Sequence, residues 1–213
     1  MQLFILHQRP SRCAHLYVDV HVVKILLEAV QLLYTTWHLF AARDSLDYIG
    51  VARRNTMRRA IATPARVYRK THMHHPIVQW IMQRRAHYVW TVRHALALCA
   101  EYSARFAGRT HACEEHVRWL ARVSGAPLLD RFFGCDDRET ELVNEFCIAI
   151  PQANTGSSCR QLRMMPGSDA VRAYRQYYAA VKLPKMIGNN RFRRFGGRKP
   201  LPRWCARASA AAQ

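Results

Sequence analysis

The segment from Val18 to Phe40 constrains the fold more than any other part of the chain, because it contains no glycine or proline. Its apolar residues occupy almost every direction around a helix, which is typical of a helix buried on all sides. Asp19 stands in the first turn, where a carboxylate stabilises the positive end of the helix dipole. The sequence therefore predicts a long buried helix, with a mainly α protein packed around it.

The remaining sequence predicts a compact helical single domain over residues 1–184, followed by a basic extended tail over residues 185–213. Glycine, proline and capping residues punctuate the chain between helical patterns. The predicted segments, in chain order, are a short strand or extended segment at 3–6, loops and short helices at 43–75, a helix from Pro76 to about Phe106, a helix at 111–122, a helix at 136–146, a polar loop at 151–168, and a helix from Ser168 to Lys182 closed by Pro184.

Length and composition exclude several classes of protein. The 213 residues are enough to bury a sizeable core, and half of them are hydrophobic, which argues against disorder. No run approaches the ~20 uninterrupted apolar residues of a membrane span. The N-terminus has an apolar run of only four residues and no positive region before it, unlike a signal peptide. We therefore expect a cytoplasmic protein with no membrane partner.

The seven cysteines predict neither a disulfide framework nor a zinc site, because their number is odd and none forms a CxxC pair. Reduced thiols that pack as small core hydrophobes are the expected state. A cluster of three histidines, His72, His74 and His75, leaves metal binding and phosphate binding both open. No cofactor and no metal ligand are assigned.

The charge of the chain is strongly positive and unevenly placed. The formal net charge is +19, and no acidic residue lies between Asp47 and Glu101 or after Lys185. Aromatic residues are interleaved with the arginines of both basic regions, which suits a polyanion whose bases can stack. A nucleic acid is therefore the expected partner. The candidate DNA-binding residues are Arg53, Arg54, Arg58, Arg59, Arg69, Lys70, His74, His75, Arg84, Arg85, Arg193, Arg194 and Trp204.

A row of polar side chains interrupts the apolar surface of the first long helix. The row consists of His21, Lys24, Glu28, Gln31 and Thr35, which lie in one narrow sector at 100° per residue. Polar groups in an apolar wall are costly unless paired, and such walls are where pKa values shift most. The row is either a solvent-facing stripe with an ordinary Lys24–Glu28 ion pair, or the wall of a catalytic cleft with Glu28 as general base.

The start of this helix resembles the first catalytic helix of the phage pyrimidine-dimer DNA glycosylase/AP-lyase family. The shared pattern is Asp19-Val-His21-Val, with Glu28 seven residues after the histidine. The His-Pro at 75–76 before a long helix, and the closing Lys-Pro-x-Pro-x-Trp at 199–204, follow the same order of parts. The pattern is also similar to a longer group of phage proteins with a DxHVVKxxLE helix.

The resemblance implies a compact helical protein that grips double-stranded DNA and flips a nucleotide out of the stack. Glu28 matches the catalytic carboxylate of the family, and His21 matches its active-site histidine. The family uses the amine of an N-terminal threonine as nucleophile, whereas residue 2 here is Gln2, whose side chain is too large for ordinary removal of Met1. Lys24 can replace that amine only if its pKa is depressed.

Because this chain lacks the N-terminal threonine that the family uses as nucleophile, we expect a different reaction on the same scaffold. Phages that hypermodify thymine, which helps their DNA evade host restriction, use a transferase that joins an amino acid to a pyrophosphorylated hydroxymethyl pyrimidine in DNA. Glu28 or His21 would be the base, with Lys24, Arg84, Arg85 and the arginines at 53–59 near the phosphates. We expect such a transferase, with a free amino acid as co-substrate. The alternatives are a pyrimidine-lesion glycosylase or AP lyase, and a non-catalytic nucleic-acid-binding protein.

Overall fold

The computed structural model describes residues 2–44, 64–123, 127–134, 143–150, 162–188, 202 and 204–205. Helices dominate these residues, which confirms the predicted mainly α class. A π-helical turn at Tyr178–Lys182 joins the last two helices, and two short strands are β1 at Glu145–Cys147 and β2 at Met164–Pro166. The helices are α1 at Pro10–His15, α2 at Asp19–Asp44, α3 at Pro76–Gln83, α4 at Arg85–Arg105, α5 at Glu114–Val123, α6 at Pro127–Phe133, α7 at Gly167–Tyr177 and α8 at Leu183–Gly188.

The long helix α2 lies at the centre of the fold, as its composition predicts. Leu26, Leu33 and Trp37 are each at most 1% exposed, and α2 packs against α3, α4 and α5. Within the described ranges, α2 is the one helix long and apolar enough to cross a membrane by length and composition, and 61% of its most apolar window is buried inside the protein. A buried core helix passes the same test.

Residues 3–6 form an extended segment inside the core. All four side chains are at most 3% exposed. The Tyr17 hydroxyl donates to the Phe4 carbonyl at 2.6 Å and accepts the Phe4 N–H at 3.1 Å. These bonds satisfy a buried backbone that has no strand partner in the described part of the chain. The segment thereby carries residue 2 to the surface of α2.

The second predicted long helix is divided into α3 and α4 by a break at Arg84, where the backbone is extended (φ −144°, ψ 146°). The prediction of one continuous helix is therefore wrong at this point. The His87 ring stacks on the Trp80 ring at 4.4 Å, and its Nδ1 lies 2.7 Å from the Trp80 carbonyl. A side chain from α4 thus satisfies a carbonyl at the end of α3, which stabilises the break without glycine or proline.

Residues 136–142 of the predicted helix over 136–146 lie outside the described residues, and the prediction is wrong at its end, where β1 forms. Residues 151–161 of the predicted loop over 151–168 also lie outside them, and that prediction is wrong at residues 164–166, which form β2. In β1 the Phe146 ring is fully buried against the rings of Trp80 at 5.6 Å and Trp90 at 5.3 Å. The extended backbone of β1 delivers this side chain to the core. In the antiparallel register, Glu145 faces Pro166, Phe146 faces Met165 and Cys147 faces Met164.

The last helical region continues past Pro184 to Gly188, so its predicted end is wrong. A proline has no N–H to donate and its ring clashes with the carbonyl four residues earlier in an α-helix. Here the Leu183 N–H bonds to the Tyr178 carbonyl five residues back, and this wider π turn carries the chain across the proline. Further along, Cys205 is only 2% exposed and belongs to the core.

The cysteines that the structure describes are unbridged and buried, as predicted. These are Cys13, Cys99, Cys113, Cys147 and Cys205. Burial raises the pKa of the Cys13 thiol to about 11 and that of Cys99 to about 12, so both remain protonated and unreactive at neutral pH. Cys135 and Cys159 lie outside the described residues. Among the described residues, which include the histidines at 72–75, no group of three His, Cys, Asp or Glu is placed to hold a metal.

Candidate active site on the central helix

His21 lies in the first turn of α2, and its side chain is held by the phenol of Tyr178. Its Nδ1 shares a hydrogen bond of 2.6 Å with the Tyr178 hydroxyl, which also accepts the Val18 N–H at 3.2 Å. The side chain is buried, and this burial lowers its pKa to about 3, with smaller contributions from the charges of Lys182 and Lys24. The imidazole is therefore neutral at physiological pH.

Aromatic rings and a lysine that sequence reasoning missed complete the wall around His21. The Phe4 ring centre is 5.1 Å from that of His21. The ammonium of Lys182 lies 5.6 Å from the centre of the Phe4 ring and 5.4 Å from that of Tyr177, which is cation–π distance. Lys182 ends the π turn, and no spacing in the sequence marks it as a neighbour of His21.

Glu28 lies further along the same face of α2, beside the start of the chain. One carboxylate oxygen accepts the backbone N–H of Gln2 at 2.6 Å, and the other lies 3.6 Å from the Lys24 ammonium. The side chain of Glu28 is 13% exposed, whereas that of Lys24 is 63% exposed. Among the described residues, the buried side-chain nitrogen of Gln2 has no hydrogen-bond acceptor. Glu28 is thus a half-buried carboxylate at the edge of the wall, with one strong bond and one loose ion pair.

This geometry separates the chemical roles of the polar row. A group whose pKa is about 3 is a weak base at neutral pH, so His21 is poorly suited to take a proton. Burial raises the pKa of Tyr178 far above its ordinary value, so the phenol stays protonated and holds the imidazole. Glu28 is the carboxylate of the row that remains in part accessible to solvent, at 13% exposure, and the buried His21 is better suited to orienting neighbouring groups.

The far end of the polar row is used for packing rather than for a cleft. Thr35 Oγ1 donates to the Thr71 carbonyl at 3.1 Å and accepts the Thr71 N–H at 3.1 Å. One turn later, His38 Nε2 lies 2.9 Å from the Tyr68 carbonyl. These bonds fasten residues 68–71 along α2. The polar row is therefore exposed to solvent around Lys24 and buried at Thr35. Neither interpretation from the sequence, a solvent-facing stripe or the wall of a cleft, describes the whole row.

A buried arginine fixes the start of α2, and the sequence contains no pattern that singles it out. Arg105, at the end of α4, donates to Asp19 at 3.1 Å and to Glu101 at 2.9 and 2.6 Å. It also donates to the Tyr17 carbonyl at 2.6 Å and the His15 carbonyl at 3.1 Å. All five guanidinium N–H groups are thereby used. This clamp of Arg105, Asp19 and Glu101 fixes the start of α2, and with it the position of His21 and the rest of the polar row.

The candidate DNA-binding residues of the histidine and double-arginine motifs have different environments. His75 caps α3, since its side chain accepts the Ile77 N–H at 3.2 Å. Arg85 is half-buried and paired with Asp130, so its guanidinium takes part in packing between helices. Arg84 is exposed at the break and lines a groove of about 580 Å³.

The other candidate DNA-binding residues that the structure describes are more open. Arg69 and Lys70 are exposed on the segment that follows α2, and His74 lines a groove of about 370 Å³ with Arg43. Trp204 packs on the last helical region, with its ring centre 6.1 Å from that of Tyr178. The remaining candidates lie outside the described residues and are Arg53, Arg54, Arg58, Arg59, Arg193 and Arg194.

No family model matches the chain, and no curated protein or solved structure matches it either.

Proposed function

We propose that this protein is a DNA-modifying transferase that joins a free amino acid to an activated hydroxymethyl pyrimidine, with Glu28 as the general base. The observation that carries the proposal is the 2.6 Å bond between Glu28 and the backbone nitrogen of Gln2. Because Met1 precedes Gln2, that nitrogen belongs to a peptide bond and is not a nucleophile. At this contact the carboxylate therefore lies beside a peptide nitrogen, which cannot form the Schiff base that a lyase requires.

The reaction balances with the groups of this site. The amine of the amino acid forms a C–N bond with the exocyclic methylene carbon of the pyrimidine. The C–O bond to pyrophosphate breaks, and the pyrophosphate leaves with the electron pair. Glu28 takes the proton that the amine loses. Lys24, whose ammonium is mostly exposed and only 3.6 Å from Glu28, supplies positive charge toward the departing phosphates.

The test is a reaction on DNA that contains pyrophosphorylated hydroxymethyluracil, with a mixture of free amino acids. Digestion to nucleosides and mass spectrometry should show a heavier pyrimidine with the wild-type protein and none with Glu28→Gln. Glu115→Gln is the matched control, because Glu115 is an exposed carboxylate on α5. The Glu115→Gln protein should form as much product as the wild type. Equal product from wild type and Glu28→Gln would remove Glu28 from the reaction.

A pyrimidine-lesion glycosylase or AP lyase is the second candidate, and the same 2.6 Å contact favours it under one condition. If Met1 is removed in the cell, the nitrogen of Gln2 becomes a primary amine beside Glu28, which is the arrangement for a Schiff base. Intact mass shows whether Met1 is retained, and borohydride reduction on abasic DNA traps any imine. A trapped adduct with a mature Gln2 terminus would support the lyase. Retained Met1 and no adduct would exclude it. DNA binding without either product would indicate a binding protein without chemistry.

A further inference from the structure

A groove of about 280 Å³ is lined by residues of α7, the π turn and Trp204. Its floor is apolar, from Val171 and Ala179, and its rim carries the side chains of Arg172, Gln176 and Trp204. The volume is just below the usual range for ligand sites, ~300–1,000 Å³. The groove is thus sized for one small ligand, and its lining mixes apolar, cationic and aromatic groups.

One wall of the groove is built from the side chains of Arg175 and Trp204, which lie at cation–π distance. The guanidinium carbon of Arg175 lies 5.5 Å from the centre of the Trp204 ring, and Arg175 Nε donates to the Leu6 carbonyl at 2.9 Å. The bond to Leu6 ties the arginine to the buried N-terminal segment, and the Tyr178 ring packs against the indole in a T-shaped arrangement. A guanidinium fixed beside an indole is a surface on which a nucleic-acid base can stack.

The opposite rim supplies a cation for a phosphate. Arg172 has a side chain that is 70% exposed, and it forms an ion pair with Asp169 on the same helix. A guanidinium has five N–H donors, so this pair leaves donors for a second anion. Gln176, also exposed, adds an amide that can both donate to and accept from a base edge.

We propose that this groove binds a single nucleotide outside a duplex, with the base stacked at Trp204 and Arg175 and the phosphate at Arg172. The net charge of +19 favours a polyanion as the source of such a ligand. The site goes beyond the proposed transferase reaction and does not depend on it. Tyr178 touches both Trp204 and His21, so a nucleotide here lies one side chain from the candidate active site.

Tryptophan fluorescence of the full chain reports on this groove selectively. The other four tryptophans are at most 4% exposed, whereas Trp204 is half-buried. The titrants are a short oligothymidylate, an abasic phosphodiester of the same length, and thymidine monophosphate. We expect saturable quenching by the oligothymidylate, with the abasic strand weaker by about fivefold or more, because it lacks the stacking base. Equal quenching by the abasic strand, or no saturable quenching, would overturn the proposal.

Arg172→Gln and Arg118→Gln form a matched pair of variants. Both arginines are exposed, at 70% and 62%, and each pairs with an acid on its own helix, so the two variants lose the same charge in similar settings. Arg172→Gln should weaken oligothymidylate binding by about threefold or more, and Arg118→Gln should leave it close to the wild type. If both variants weaken oligothymidylate binding equally, the binding is non-specific electrostatic attraction, and the proposed site in the groove is wrong. Similar affinity for thymidine monophosphate would indicate a free nucleotide as ligand, and a much tighter oligomer would indicate a nucleotide within a strand.

Discussion

Two ion pairs lie a few residues apart at the start of α2, and they are built in opposite ways. Asp19 pairs with Arg105 at 3.1 Å, and both side chains are at most 5% exposed. Lys24 approaches Glu28 only to 3.6 Å, and the lysine side chain is 63% exposed. The first pair has every guanidinium donor occupied, whereas the second has an ammonium that is mostly in solvent.

The difference shows which part of α2 holds the fold and which part is available for chemistry. A buried charge must be fully hydrogen-bonded, because an unpaired one costs several kcal/mol. Such a pair cannot exchange its partners for a substrate without unfolding its surroundings. A half-buried carboxylate with a loose partner can change partners at little cost. Asp19 and Arg105 therefore hold the fold together, whereas Glu28 is the carboxylate available to the proposed reaction.

The largest expected effect follows from breaking the closed pair. Arg105→Met keeps an unbranched apolar side chain but removes the guanidinium that Asp19 and Glu101 share. We expect a loss of about 3–5 kcal/mol in the free energy of unfolding, measured by urea denaturation. Arg118→Met is the control, since Arg118 pairs with Glu114 on an exposed surface, and its midpoint should match the wild type. Equal midpoints for the two variants would mean that the clamp does not stabilise the fold.

Breaking the open pair should affect activity rather than stability. In Glu28→Gln the amide oxygen still accepts the Gln2 N–H, so the urea midpoint should change little. The transferase rate should fall by about 10²–10⁴-fold, because the general base is lost. The measurement is the rate of product formation at saturating DNA, beside the urea midpoint of the same preparation. A large loss of stability with unchanged rate would reverse the assignment of roles.

The buried histidine between the two pairs makes stability depend on pH. Burial lowers the pKa of His21 to about 3, so below pH 6.5 the unfolded chain binds a proton that the folded chain does not. Stability should therefore fall as the pH drops from 6.5 toward 3, by about 1.4 kcal/mol per pH unit for this histidine. His94, whose pKa burial lowers to about 4, adds a second contribution of the same sign.

The contribution of His21 is measured by comparing His21→Gln with the wild type between pH 7 and pH 5. The variant should lose about 1.4 kcal/mol per pH unit less than the wild type below pH 6.5. His74→Gln, which replaces an exposed histidine, should follow the wild-type curve. Parallel curves for wild type and His21→Gln would show that the imidazole is protonated in the folded protein.

The smallest effect is expected at the exposed end of the open pair. Lys24→Gln removes a loose i,i+4 ion pair, and we expect a change of about 0.2–1 kcal/mol in the free energy of unfolding. High salt should remove most of this difference, because exposed charges are screened. A salt-independent loss of several kcal/mol would mean that Lys24 is part of the closed network.

The central helix and its polar row are predictable from sequence because helical periodicity is local. Side chains three and four residues apart share a face, so His21, Lys24 and Glu28 are placed together by spacing alone. The break at Arg84 had no such signal, since the stacking of His87 on Trp80 stabilises it. The strands and the π turn were missed for the same reason.

The sequence alone predicts the mainly helical class of this protein, its buried first long helix and the order of polar groups along that helix. The partners of those groups follow from the tertiary structure. Glu28 meets Gln2 across 26 positions of the chain, and His21 meets Tyr178 across 157. Arg105 closes on Asp19 across 86. Such contacts depend on how separate segments pack, and packing selects partners by shape and burial rather than by spacing.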